Sequence, residues 1–334
     1  MDNYVRYEFK YTLGLIICTL LFMPQLYSQT CCSGGVPLSG NIGFTGAEKG
    51  TLQAELSYDL NYLNTLKNEW EVYPETSRKR VTQSVLFKTG YSINSWLAVD
   101  ALFSYVSQER EITILEESYR VNTRGIGDAV ILPKITLARL SQKGHELQLG
   151  SGLKVPLGRT DHEDERGIVL NADMQPGSGT WDAITWIYYA RQFNFRPSMV
   201  VSTRVLGRFN GKNREYYGSQ TYQFGTSSQL FLSLGDQLLI GNRVLAPSLS
   251  LRFRWAAKDR INEQELENTG GQWINLIPAL SWHFRQNIIF HMIPEIPLIS
   301  KVNGTQLTPT FRVQLGMYYR FGRKNDNPSK IYSL

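Results

Sequence analysis

The 334-residue sequence predicts an all-β fold: a closed, antiparallel, up-and-down transmembrane β-barrel of about twelve strands. Three observations predict it. From residue 50 onward apolar and polar residues alternate with a period of two, the connectors between the alternating runs are short and long in turn, and the chain opens on an apolar run laid out as an export signal. Composition alone would suit a soluble protein, with 42% hydrophobic residues and a mean hydropathy of -0.26. A transmembrane strand hides in such averages, because it needs only ~9–11 residues with every second one apolar.

Taking the elements in order, residues 13–23 (LGLIICTLLFM) form the one long apolar run, after Arg6 and Lys10 and before Pro24. The run is short of the ~20 residues that a spanning helix requires, so residues 1–29 read as a signal peptide cleaved near Ser28 or Gln29, with an N-terminal anchor as the alternative. Cys18 lies inside it, which leaves Cys31 and Cys32 adjacent in the mature chain. Neighbouring cysteines cannot staple a fold, and Ser28, Gln29 and Thr30 do not make a lipidation motif ahead of Cys31. The pair reads as inert or locally oxidised; as thiolates it would need further ligands to hold a soft metal. Residues 30–49, glycine-rich and small, form a periplasmic or lumen-entering segment, residues 50–322 the barrel, and residues 323–334 a tail.

The first strand shows the pattern most plainly. Leu52, Ala54, Leu56, Tyr58, Leu60 and Tyr62 share one face, and Gln53, Glu55, Ser57, Asp59 and Asn61 the other. The last, residues 306–321, repeats it. Between them strands are expected near 81–92, 96–107, 127–140, 145–157, 179–193, 197–209, 219–234, 238–255, 272–284 and 288–299. Short turns are expected at 93–95, 141–144, 194–196, 235–237 and 285–287, and long charged loops include QEREITILEESYRVNTRGI and GRTDHEDERGIVLNADMQP. Tight turns on one side and long polar loops on the other are the layout of an outer-membrane barrel, its short turns periplasmic. Pro133, Pro247, Pro278, Pro294 and Pro309 fall inside strands, where each removes a ladder hydrogen bond, so local bulges are expected there. Residues 179–193 are apolar on both faces and leave their inward side open.

Three stretches go beyond barrel grammar: RGIGDAVILPKITL (124–137), GSGLKVPLGRTD (150–161) and QPGSGTWDAITW (175–186). Their order, carried by Gly125, Gly127, Asp128, Pro156, Gly158, Gln175, Pro176, Gly177, Gly179 and Asp182, resembles the core of the outer-membrane barrels named for the MetA pathway of phenol degradation. The glycines also suit ordinary turns and bulges. The resemblance covers about a fifth of the chain and implies a transporter or channel for small organic molecules.

The net charge of +6 is scattered along alternating strands, unlike the clustered basic face of a nucleic-acid binder. His145, His162, His283 and His291 stand in no nucleophile motif, and the Gly-Ser-Gly sequences at 150–152 and 177–179 lack the strand-to-helix elbow of a reactive serine. No catalytic residue, metal site or cofactor is therefore assigned, and the acidic run DHEDERG (161–167) reads as a solvated loop without calcium-loop spacing. If apolar residues meet lipid, the lumen receives Glu55, Asp59, Lys88, Asp100, Asp128, Lys134, Glu146, Lys154, Arg204, Arg208, Arg252, Arg254, His283, His291, Glu295, Arg312 and Arg320. Such an interior must be wet or densely paired. The expected function is passive passage of small organic solutes, aromatic or amphipathic ones among them. A structural or adhesive barrel acting through its loops and a lipid-modifying enzyme are the alternatives. The expected partners are outer-membrane lipid and lipopolysaccharide, the solutes, and the barrel-insertion machinery; the sequence leaves the oligomeric state open.

Overall fold

The computed structural model describes residues 43–44, 48–73, 78–114, 117–139 and 144–321. The expected signal peptide, the Cys31–Cys32 pair, most of segment 30–49 and the tail 323–334 lie outside the described residues. The wall consists of twelve strands: β1 (Leu52–Asn68), β2 (Arg78–Ser92), β3 (Leu97–Ile114), β4 (Glu117–Ile126, continued by Ala129–Ala138), β5 (His145–Val155), β6 (Asp182–Phe193), β7 (Arg196–Phe209), β8 (Ser227–Gly235, continued by Leu238–Ile240), β9 (Arg243–Ala256), β10 (Gly271–Arg285), β11 (Ile288–Val302) and β12 (Thr305–Phe321). Each pairs antiparallel with the next. β12 returns to β1, from Leu52↔Phe321 to Asn68↔Thr305, and closes the barrel.

Burial is inverted relative to a soluble protein. Along β1, Leu56 is 50% exposed and Tyr58 39%, whereas Glu55 and Asp59 are buried at 8% and 1%. β12 repeats this, with Phe311, Leu315 and Met317 exposed and Gln314 buried. An apolar outside and a charged inside are stable only where hydrocarbon surrounds the wall, and closure leaves no unpaired strand edge in that medium. The face of 179–193 that the sequence left open is settled by packing. Ile184, Trp186, Tyr188 and Ala190 turn inward, and Ile187 and Tyr189 outward. Together with Leu86, Leu102, Val130, Leu132 and Leu206 the four inward residues form a small apolar core inside the barrel.

The structure departs from the sequence reading in four places. The expected loop over QEREITILEESYRVNTRGI is a paired hairpin, because β3 and β4 keep their rungs from Tyr105↔Ile126 to Ile114↔Glu117. Residues 220–223, expected in β8, leave the wall and join Asn213–Tyr216, Arg260–Ile261 and Gln264–Glu265 in a four-stranded sheet at the long-loop end. The expected turn at 235–237 lies within β8, and the chain reverses at Gly241, whose φ of 62° suits the reversal. There Asp236 accepts the Gln237 amide at 2.8 Å and the Ser198 hydroxyl at 2.8 Å, which holds the interruption in place. Finally, of the five prolines expected to cause bulges, only Pro309 sits at a register shift, opposite Leu63. Register is kept through Pro133, Pro247, Pro278 and Pro294. An antiparallel residue points its N–H at one neighbour only, so a proline can lose that bond without displacing the strand.

Candidate functional site: the barrel lumen

The seventeen residues assigned to the lumen from the sequence are all buried or half-buried. Glu55, Asp59, Lys88, Asp100, Asp128, Lys134, Glu146, Lys154, Arg208, Arg252 and Glu295 are buried, and Arg204, Arg254, His283, His291, Arg312 and Arg320 are half-buried. The strand register makes most of them partners. Glu55 and Lys88 face each other on β1 and β2 and lie 2.9 Å apart. Arg312 of β12 donates to Asp59 of β1 at 2.8 Å. Lys134 and Asp100 are 2.7 Å apart, and Arg252 pairs with Glu295, which also accepts from Asn275 at 2.5 Å. His291 stands 3.7 Å from Glu55, and Glu146 accepts from Gln148. Arg204 lies over the rings of Tyr188 and Phe231, and Arg254 over Trp273 at 4.7 Å. The interior is thus densely paired, which offsets the desolvation of its charges.

The glycine-rich stretches meet at one point, where the chain after β5 folds back inside the barrel. Asp128 accepts Lys154 at 2.6 Å, the Ser178 hydroxyl at 2.6 Å and amide, and the Gly158 amide at 3.2 Å. Lys154 also reaches Asp182 at 3.1 Å, and Asp182 binds Arg208 at 2.8 Å, all four side chains being almost wholly enclosed. The loop from Pro156 to Trp181 packs against this chain of charges. A Cβ on Gly158 would lie 2.5 Å from the Gly177 Cα and 2.7 Å from the Ile126 carbonyl, so the two backbones touch only because both residues are glycine. Gly179 has a φ of 68°, Gly125 abuts Pro176, and the Gln175 side-chain amide clamps the returning chain, its oxygen accepting the His162 amide and its nitrogen donating to the His162 and Leu170 carbonyls.

Three residues that no strand pattern singled out complete the loop's seat. Asp173, in a 3-10 turn (Ala172–Met174), accepts Arg80 at 2.7 Å and Arg110 at 3.2 Å, and Arg80 also donates to the Asp173 carbonyl and to Gln108. Burial acts to raise the Asp173 carboxyl, but Arg110 and Arg80 outweigh it and hold it below the ordinary value. The acidic run takes no part in this. Asp161 is lowered by its bond to Arg159, and Asp164 by the Ile168 and Arg166 amides, so each acid is satisfied within its own exposed loop. Among the described residues no cluster of metal-ligating side chains occurs.

At the opposite, short-turn end, Gly43 and Phe44 lie within the lumen. The Phe44 amide donates to Asp100 at 2.8 Å, its carbonyl accepts Lys134, and its ring lies under Lys88 at 4.3 Å and beside Tyr318 at 5.6 Å. A Cβ at Gly43 would lie 2.7 Å from Trp186. No periodicity could have placed these residues, because they belong to no strand. Two cavities flank the paired layer. One of about 280 Å³ opens toward the short turns, from Phe44 and Lys88 to Ser198 and Gln237. The other, of about 410 Å³, lies under the long loops, from Leu63 and Arg80 to Tyr222 and Gln306.

No family model and no curated protein sequence matches the chain. Among solved structures, the chain is similar to an outer membrane channel from Pseudomonas putida F1, with 15% identity over 85% of this chain and 100% of that one, at a TM-score of 0.66. It is more distantly similar to the transport unit of the autotransporter AIDA-I from Escherichia coli, with 8% identity over 84% of this chain and 93% of that one, at 0.48. The NanC porin follows, with 7% identity over 80% of this chain and 98% of that one, at 0.43. The first of these shows the fold: a closed twelve-stranded barrel of the kind that Gram-negative outer membranes hold.

Proposed function

We propose that this outer-membrane barrel is a passive channel for small organic solutes, narrowed from both ends. The observation that carries the reading is the pair of cavities, about 280 Å³ and 410 Å³, set along one charged interior with the 156–181 loop folded in at one end and Phe44 at the other. The lumen residues named above include nine Lys and Arg against six Asp and Glu, so this mostly paired, modestly basic interior favours polar and amphipathic molecules over cations, and the side chains that enter the lumen limit their size. The outward face meets acyl chains and, at the loop end, the headgroups of the outer leaflet. No residue of the interior needs to do chemistry for this function. Liposome swelling with full-length protein tests it. The expected result is permeation of small uncharged organic solutes that falls steeply as their size grows. Swelling no faster than in protein-free liposomes, from protein shown to be folded, would overturn it.

A further inference from the structure

Mid-height in the wall, β10 and β11 meet across two prolines. Leu276 pairs with Ile296 and Leu280 with Met292 in one unbroken register, which sets Pro278 directly opposite Pro294, and the three rungs between those pairs are missing. The pattern identifies what is lost. In an antiparallel ladder, hydrogen-bonded pairs recur every second residue, and a mutual pair at Pro278 and Pro294 would need both of their N–H groups, which neither has. Each of the two carbonyls therefore points at the other proline's nitrogen, with no donor across the gap. This lies near the centre of both strands, Gly271–Arg285 and Ile288–Val302, at the depth where hydrocarbon offers no substitute partner.

Ile277, Ala279, Ile289 and Ile293 line the 280 Å³ cavity here, together with Ser281, His291 and Glu295 of the same two strands, and Glu55, Asp59 and Lys88 line it further round the wall on β1 and β2. Outside, Leu280, Met292 and Ile296 border the gap and are exposed to lipid. Apolar side chains thus flank, on the lumen side and on the lipid side, the one stretch of the β10–β11 seam that hydrogen bonds do not hold, and the Glu295 carboxylate beside it is taken up by Arg252 and Asn275. We propose that this seam is a lateral portal through which small apolar or aromatic molecules pass between the lumen and the membrane interior. The proposal rests on the channel reading and adds to it an exit that polar solutes do not use. Ion pairs that narrow the lumen along its axis then pose no obstacle to an apolar molecule, which leaves sideways through the seam.

The test uses the full chain expressed in the outer membrane of a laboratory Gram-negative host, with two probes. N-phenyl-1-naphthylamine reports apolar uptake by fluorescing in the bilayer, and nitrocefin hydrolysis by a periplasmic β-lactamase reports the axial route. Pro278→Ala with Pro294→Ala returns both donors to the ladder. The expected result is a loss of the apolar uptake that the wild type adds over empty-vector cells, with nitrocefin hydrolysis kept. A second variant, Ala279→Cys with Ile293→Cys, places thiols at a non-hydrogen-bonded pair, whose close Cα spacing suits a disulfide. Its apolar uptake should be low when oxidised and recover on reduction with a phosphine. Unchanged apolar uptake in the proline variant and in the oxidised cysteine variant, both heat-modifiable and so folded, would overturn the portal while leaving the channel. Wild-type cells that take up neither probe faster than empty-vector cells would overturn the channel reading, and the portal with it.

Discussion

Lys154 shows what the interior asks of single residues. Its ammonium is fully enclosed between Asp128 and Asp182, so replacing it with methionine strands two carboxylates that have little access to water, with only Arg208 left to answer one of them. Removing one partner of a buried pair costs about 3–5 kcal/mol. Lys154→Met is therefore expected to lower the temperature at which the folded form disappears in a heat-modifiability gel. Arg159→Ala, at an exposed pair with Asp161, should leave that temperature unmoved. Phe44 makes a different prediction: Phe44→Ala removes the ring beneath Lys88 and beside Tyr318, and liposome swelling should become faster and less selective for size. These residues were not equally legible. Glu55, Asp59 and Lys154 could be assigned to the lumen because a strand's period of two divides its residues between lipid and lumen. Phe44, Arg80 and Asp173 could not be joined from sequence, since their contacts depend on where two non-repeating segments return inside the wall.

At the scale of elements, the loop from 156 to 181 governs the long-loop end. Its glycine pair is a backbone contact, so Gly158→Ala should unseat the loop without removing any charged group. Trypsin, which can cut after Arg159 and Arg166, should then cleave folded protein faster than the wild type. Its ionic seat gives a pH dependence whose sign follows from Asp173. A carboxyl held below its ordinary value stays charged down through the usual aspartate range, about pH 4, and its contribution is lost only as pH falls through the lowered value. Single-channel conductance should therefore stay flat from neutral pH to about pH 4 and rise in stronger acid as the loop detaches. The sequence announced this element through its ordered glycines, but as turns at strand ends. What it withheld was the convergence of Asp128, Lys154, Ser178 and Asp182, which requires the three stretches to be brought side by side. The prolines were likewise visible, and their effect was not. Whether a proline bulges a strand or only leaves a rung empty depends on which neighbour its missing N–H would have faced.

For the whole molecule, alternation and connector parity were enough to read a closed barrel and its inside from the sequence, because hydrocarbon imposes both on any strand that crosses it. How far the lumen is open depends on side-chain pairing and on segments that enter from the ends, neither of which periodicity encodes. The central claim is that the paired interior and its inward loop narrow a channel without sealing it. The most direct measurement is single-channel conductance of the purified, heat-modifiable full-length protein in planar bilayers, compared with Asp173→Asn, which removes the charge that Arg80 and Arg110 hold. The account predicts discrete small openings from the wild type and larger ones from the variant at neutral pH. A folded wild type and a folded variant that are both electrically silent would contradict it.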